Sequence, residues 1–273
     1  MTVGRMSARS LLVITALAAT AILARPGSSS PPAPVPRLAH TVVLVFENHE
    51  RNDVVGSGFA PTFDHLASTY AQATAYYGVA HPSLPNYLAL ISGSTHGVTN
   101  DCTGCPQTGP TIGSQLSAKH VSWAAYAEGY PGSSEFAKKH VPFLYFPGDA
   151  SHVLPLEQFN ARKLPAYSLV VPDLCHDMHD CSVATGDSWL RKFISPLLKV
   201  KNTAIFVVFD EGTTDVHGGG HVSLIIAGTA VRRHAIFTTP TSHYGLLHTL
   251  ESALGLAPLG LARSTPPLTG IWR

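Results

Sequence analysis

Two runs in this chain are apolar at nearly every position, residues 41–46 and 204–209, and each stops abruptly at polar residues: Glu47-Asn48 after the first, Asp210-Glu211 after the second. An unbroken apolar run of this length predicts a strand buried on both faces. Runs at 73–79, 122–127, 166–171 and 222–227 also read as strands. Between them the period lengthens. Residues 61–72 predict a helix with Pro61 in its first turn and Phe63, Leu66, Ala67 and Tyr70 on one face. Residues 84–92 predict a second, with Pro85 tolerated near its start. Thr111 caps a third that reaches 119, and Asp187 or Ser188 caps one over 189–199 that Pro196 must bend or shorten. Ser242 caps a last helix that runs through 254 and is closed by Gly255. Strands alternating with helices predict an α/β fold with a mostly parallel central sheet and helices on both faces. Residues 129–164 are rich in Pro and Gly, show no period, and are expected to supply loops that cover the site.

The chain begins differently. Arg5 and Arg9 precede an apolar stretch over 11–23, and small residues follow near 24, the pattern of a cleaved secretory signal peptide over 1–24. The stretch is shorter than the ~20 residues that cross a bilayer, so no stable membrane span is expected. A Pro/Ser-rich linker over 25–37 leads into one folded domain over 38–273. Net charge is +1, which gives no electrostatic ground for nucleic-acid binding. The four cysteines form two close pairs, Cys102/Cys105 and Cys175/Cys181. In an exported chain, and with Pro106, Gly109 and Pro110 following the first pair, disulfides within each pair are expected over zinc or redox chemistry.

In open α/β sheets ligands sit beyond the carboxyl ends of the strands. Glu47, Asn48, Asp210 and Glu211 stand there, and their oxygens suit a hard divalent ion such as Mg²⁺, Ca²⁺ or Mn²⁺. Each motif taken alone reads equally as a loop cap. Ser83 sits on a tight turn at a helix start, where backbone N–H groups beginning at Leu84 aim at an anion. Its hydroxyl needs activation to act as a nucleophile, and a metal would supply it; a simple N-cap is the competing reading. His81 lies within reach of the same anion. The loop from Cys175 to Cys181 carries His179, a general acid with Asp177 to orient it, and His176. Gly218-Gly219-Gly220 lets the backbone approach a ligand and brings His221 in from the Asp210 side. Gly186-Asp187-Ser188-Trp189 reads as a helix start and not as an esterase block, and His243 and His248 read as structural.

Glu47-Asn48 after its strand, His81-Pro82-Ser83-Leu84-Pro85-Asn86-Tyr87, Asp177-Met178-His179-Asp180, Phe209-Asp210-Glu211-Gly212, and Ser242-His243-Tyr244 through Glu251 together resemble the phosphoesterase family of bacterial acid phosphatases and non-specific phospholipases C. Pro82-Ser83 with the later Ser92-Gly93 and His96-Gly97 looks like the nucleophile turn of the wider alkaline-phosphatase-like superfamily. The Asp-Met-His-Asp-Cys block looks closest to secreted acid phosphatases that act on phosphoinositides. The resemblance implies a divalent metal held by Glu47, Asn48, Ser83, Asp210 and Glu211. It implies Ser83 as the residue that is phosphorylated, with His81, His179 and His221 around the phosphate. For a second metal, Asp173 and His176 offer only a thin ligand set. The expected activity is a secreted, metal-dependent acid phosphatase acting on phosphate monoesters, phospholipid headgroups among them. A phospholipase C-type diesterase and a non-enzymatic metal-binding protein are the alternatives.

Overall fold

Strands with no polar face must lie inside a sheet, and the two longest do. A computed structural model of the chain describes residues 1–4 and 33–273. The expected signal peptide and most of the linker fall outside the described residues. The chain divides into two compact units, Met1–Pro31 and Pro32–Arg273, and the secondary structure of the described residues lies in the second. In chain order it is β1 (His40–Phe46), α1 (Arg51–Val54), α2 (Pro61–Thr69), β2 (Ala71–Ala73), β3 (Tyr76–Tyr77), α3 (Ser83–Ser92), α4 (Ile112–Ala118), β4 (Trp123–Ala127), β5 (Val153–Pro155), β6 (Tyr167–Val171), α5 (Val183–Ile194), β7 (Thr203–Phe209), β8 (Leu224–Ala227), β9 (Ala235–Phe237), β10 (Thr241–Ser242) and α6 (His243–Leu254).

Eight strands form one sheet in the order β5-β4-β6-β1-β7-β8-β2-β9, and β3 pairs with β10 in a short ribbon. Every pairing in the large sheet is parallel except those β8 makes with β7 and β2. β1 and β7 run in register from His40↔Thr203 to Phe46↔Phe209. Glu47 and Asp210 therefore leave the sheet side by side. Phe46 meets Phe63 of α2 at 5.3 Å and Trp189 of α5 at 6.1 Å between ring centroids, while α3 packs on α6. Helices thus flank the sheet, the α/β class expected.

The strand expected over 73–79 is split between β2 in the large sheet and β3 in the ribbon, and the strand expected from 222 starts at Leu224. Two helices also differ from the sequence reading, for definite reasons. The helix expected over 61–72 stops at Thr69, because Ala71–Ala73 enters the sheet between β8 and β9. The helix expected to start near Asp187 starts at Val183, capped by the Ser182 hydroxyl, and ends at Ile194 just before Ser195-Pro196. Asp187 caps a different helix: its buried carboxylate accepts from Thr62 N–H at 2.8 Å, Phe63 N–H at 3.1 Å and Thr62 Oγ1 at 2.9 Å, at the start of α2. Residues 129–164 break into short 3₁₀ turns around β5. Both disulfides form within their pairs, Cys102–Cys105 and Cys175–Cys181. Among the described residues, no helix is long and apolar enough to cross a membrane.

One buried acid sets a pH dependence. Glu251 accepts from Leu259 N–H at 2.8 Å, and its other oxygen has no partner. Burial pushes its pKa up to about 8, from an ordinary 4.5. Below the lower value folded and unfolded chains both hold the proton; between the two only the folded chain does. Stability therefore falls as pH rises through that window. Glu251→Gln keeps the acceptor and removes the penalty. Denaturation of both proteins at pH 5 and pH 8 should show the variant gaining on the order of 2 kcal/mol relative to the parent at the higher pH. A difference that does not change with pH rules this out.

Candidate active site

The ends of β1 and β7 are tied together by Asp210 N–H, which donates to the Phe46 carbonyl at 3.0 Å. Asn48 holds a left-handed backbone (φ 56°), which asparagine tolerates, and its N–H donates to Asp210 Oδ1 at 3.3 Å. α3 delivers Ser83 to this point. The turn before the helix is pinned by Asn86, whose side chain accepts from Val79 N–H at 2.8 Å and donates to the Ala80 carbonyl at 2.7 Å. Ser83 Oγ then lies 3.1 Å from Glu47 Oε2 and 3.0 Å from Glu211 Oε1. Tyr87, one helical turn on and so on the same face, donates to Glu47 Oε1 at 2.5 Å.

These contacts do not balance in charge or protons. A serine hydroxyl has one proton, yet two carboxylate oxygens are placed to accept it. Asp210 Oδ2 is buried with no partner. Burial raises the pKa of Glu47, Asp210 and Glu211, and repulsion from Asp210 adds to it for Glu47, and from Glu211 for Asp210. Three buried carboxyl groups, an orphaned oxygen and a shared hydroxyl offer the kind of oxygen donors that hard divalent cations take. The residues present fit such an ion.

The histidines are arranged differently from the sequence reading. His81 was expected at the phosphate, but both ring nitrogens are occupied: Nδ1 meets Glu211 Oε2 and Nε2 meets the Thr214 carbonyl at 3.0 Å. Burial disfavours its charged form, but the Thr214 carbonyl and Glu211 outweigh this and hold its pKa up. His81 is a tether for Glu211. His221 stands apart from the serine. Its Nε2 meets the Thr74 carbonyl at 2.9 Å and its ring packs on Tyr77. Asp177 does not orient the His179 ring. Its Oδ1 accepts from the His179 backbone N–H at 2.8 Å, and its Oδ2 faces His140 Nδ1 at 3.1 Å. The His179 ring is held by Asp180 Oδ1 at 2.6 Å. The anion site expected at the start of α3 is also taken, because Leu84 N–H donates to Asp101 Oδ1 at 3.0 Å.

His140, from the aperiodic stretch, was not foreseen. It is buried, stacks on Tyr87, and sets Nε2 3.2 Å from Glu47 Oε1. Burial lowers the pKa of His140 and lifts that of Asp177 to about 7, so both partners of this pair are driven toward their neutral forms. Glu50 is the other unforeseen residue. Its carboxylate accepts from the N–H groups of Thr213, Thr214 and His221, fixing the loop that carries Glu211. A Cβ on Gly212 would strike that carboxylate, and Gly220 needs glycine because its backbone is left-handed (φ 83°) and a Cβ there would also strike the backbone of Gly212. Among the described residues two groups bring their ligand atoms close enough together for a metal: Glu47, His140 and His179, beside Ser83, and Glu128, Asp173 and His176. A groove of about 740 Å³ lined by Trp123, Tyr126, His152 and Lys163 shares no residue with the Ser83 cluster, so volume alone does not locate the chemistry. Ser83 is only 1% exposed, while the side chains of His81, Asp101, Lys139 and His179 are partly exposed.

Known proteins resemble this chain in sequence and in fold. The Phosphoesterase family profile matches residues 57–257. The chain is 33% identical to the phosphatidylinositol-3-phosphatase of Mycobacterium tuberculosis, an alignment covering 97% of this chain and 94% of that protein. It is 28% identical to the phosphate-repressible acid phosphatase of Penicillium chrysogenum over 77% of this chain and 58% of the fungal one. Among solved structures, an alkaline phosphatase superfamily protein from Vibrio parahaemolyticus superposes with a TM-score of 0.61 at 14% identity, covering 83% of this chain and 69% of that one. The last likeness is one of fold, and the fold is alkaline-phosphatase-like. With a profile spanning most of the chain and a relative aligned along almost all of it, this protein belongs to the phosphoesterase family.

Proposed function

We propose that the protein is a secreted, metal-dependent acid phosphatase, a phosphoric monoester hydrolase that works through a phosphoserine at Ser83. The observation that carries this is the single Ser83 hydroxyl set between Glu47 and Glu211 beside the orphaned Asp210 oxygen. The relatives named as acid phosphatases and as a phosphatidylinositol-3-phosphatase support the same class and make a phosphoinositide headgroup a substrate to test. The disulfides support an oxidising compartment.

A divalent cation bound by Glu47, Asn48, Ser83, Asp210 and Glu211 would lower the serine pKa and neutralise phosphate charge. Ser83 Oγ gives its proton to a flanking carboxylate and attacks phosphorus in line with the leaving oxygen. His179, steadied by Asp180, protonates that oxygen as its bond to phosphorus breaks. His179, having given up its proton, then takes one from water, whose oxygen attacks the phosphoserine; as the bond from phosphorus to Oγ breaks, Ser83 takes back the proton held by the flanking carboxylate. His81 and Glu50 hold Glu211 and its loop in place throughout.

Nitrophenol release from nitrophenyl phosphate and from its choline ester, and phosphate release from a soluble phosphatidylinositol 3-phosphate, each with and without chelator, test this reading. The expected result is chelator-sensitive turnover of the monoesters. Preference for the choline ester would make the protein a phospholipase C-type diesterase. No turnover with any divalent ion would make it a binding protein.

A further inference from the structure

The site as described is short of positive charge. Glu47, Asp210 and Glu211 carry three negative charges when ionised, and a divalent cation leaves one uncompensated. A phosphate monoester dianion brought to this place would be repelled. The donors the sequence offered for it are already engaged: Leu84 N–H by Asp101, and both His81 nitrogens by Glu211 and Thr214. Lys139 stands at the rim, only partly buried. Lys139 Nζ donates to Asp101 Oδ2 at 2.9 Å and lies 3.5 Å from His179 Nε2, and its charge is felt at Glu47. An ammonium has three donors, so the Asp101 contact leaves capacity for an incoming oxygen.

Asp101 is itself held firmly. One carboxylate oxygen sits on Leu84 N–H, the amide next to the nucleophile, and the other on Lys139. The Cys102–Cys105 disulfide closes the loop immediately after it, and Lys138 Nζ clasps the Thr103 carbonyl of that loop at 2.6 Å. A carboxylate tied to the first turn of α3 thus fixes where the ammonium stands relative to Ser83.

We propose that Lys139 binds a non-bridging oxygen of the substrate phosphate and that Asp101 positions it; this rests on the site being a phosphate-ester centre. The arrangement favours a dianion over a monoanion, so Lys139 also discriminates monoesters from diesters. Losing a charge-assisted hydrogen bond of this kind costs about 10- to 100-fold in affinity.

The test is calorimetric titration of inorganic phosphate into the purified protein and its Lys139→Met, Lys139→Arg and Asp101→Asn variants, with melting temperature as the check on folding. Lys139→Met should weaken phosphate binding about 10- to 100-fold, and Lys139→Arg should restore part of it. Asp101→Asn keeps an acceptor for Leu84 N–H and should weaken binding less. Combined with Lys139→Met it should add nothing, as expected of a residue that acts through the lysine. KM for nitrophenyl phosphate should follow the phosphate Kd, with a smaller change for the choline ester. Equal phosphate binding by parent and Lys139→Met, or none by the folded parent, overturns the proposal. Lysine-dependent phosphate binding without hydrolysis of any ester leaves it standing and removes the phosphatase reading instead.

Discussion

Ser83→Ala should abolish turnover, with a fall in kcat of about 10⁴-fold or more on nitrophenyl phosphate, the scale seen when a covalent nucleophile is removed. The fold should survive. Ser83 starts α3 without capping it, since the helix shows no side-chain cap bond at its start, and Asn86 and Asp101 secure that turn. A melting temperature close to the parent's, with activity gone, is the expected pair of results. Activity within ten-fold of the parent would mean that water, not serine, attacks phosphorus.

Asp210→Asn should have the second largest effect, and in two directions. Activity should fall about 10³-fold, because Asp210 offers the one orphaned oxygen of the cluster and loses its charge. In chelator, stability at neutral pH should rise. Burial and Glu211 push the Asp210 pKa up, so an ionised Asp210 is a cost to the metal-free fold that an amide does not carry. Removing such an unpaired buried charge is worth on the order of 2 kcal/mol. Urea denaturation in chelator reads this directly. A less stable Asn variant under those conditions would show that Asp210 is satisfied without a cation.

The sheet was legible because its signal is local. β1 and β7 are apolar at nearly every position, and only a two-faced burial explains that. Their polar stops marked the edge that carries the candidate site for the same reason, since an in-register parallel pair must end together. Contacts set by loop geometry were not legible. Asp177 and His179 stand two apart, as an orienting pair would. Met178 between them is buried with φ at 79°, which turns Asp177 inward to His140 and leaves His179 to Asp180. Its packing also demands Gly186, where a Cβ would strike the Met178 side chain. His140 and Lys139 come from a stretch with no period, and nothing in spacing could align them with Glu47. Tyr87 could have been found: it is four residues after Ser83 on the same helix. Asp187 looked like the start of its own helix because carboxylates favour such positions, and it does cap a helix, but one reached through the tertiary fold.

Crystals grown with Mn²⁺ and measured near the manganese absorption edge test the central claim most directly. The account predicts an anomalous peak about 2.0–2.6 Å from carboxylate oxygens of Glu47, Asp210 and Glu211 and from Ser83 Oγ. A peak at Glu128, Asp173 and His176 with none beside Ser83 would contradict it.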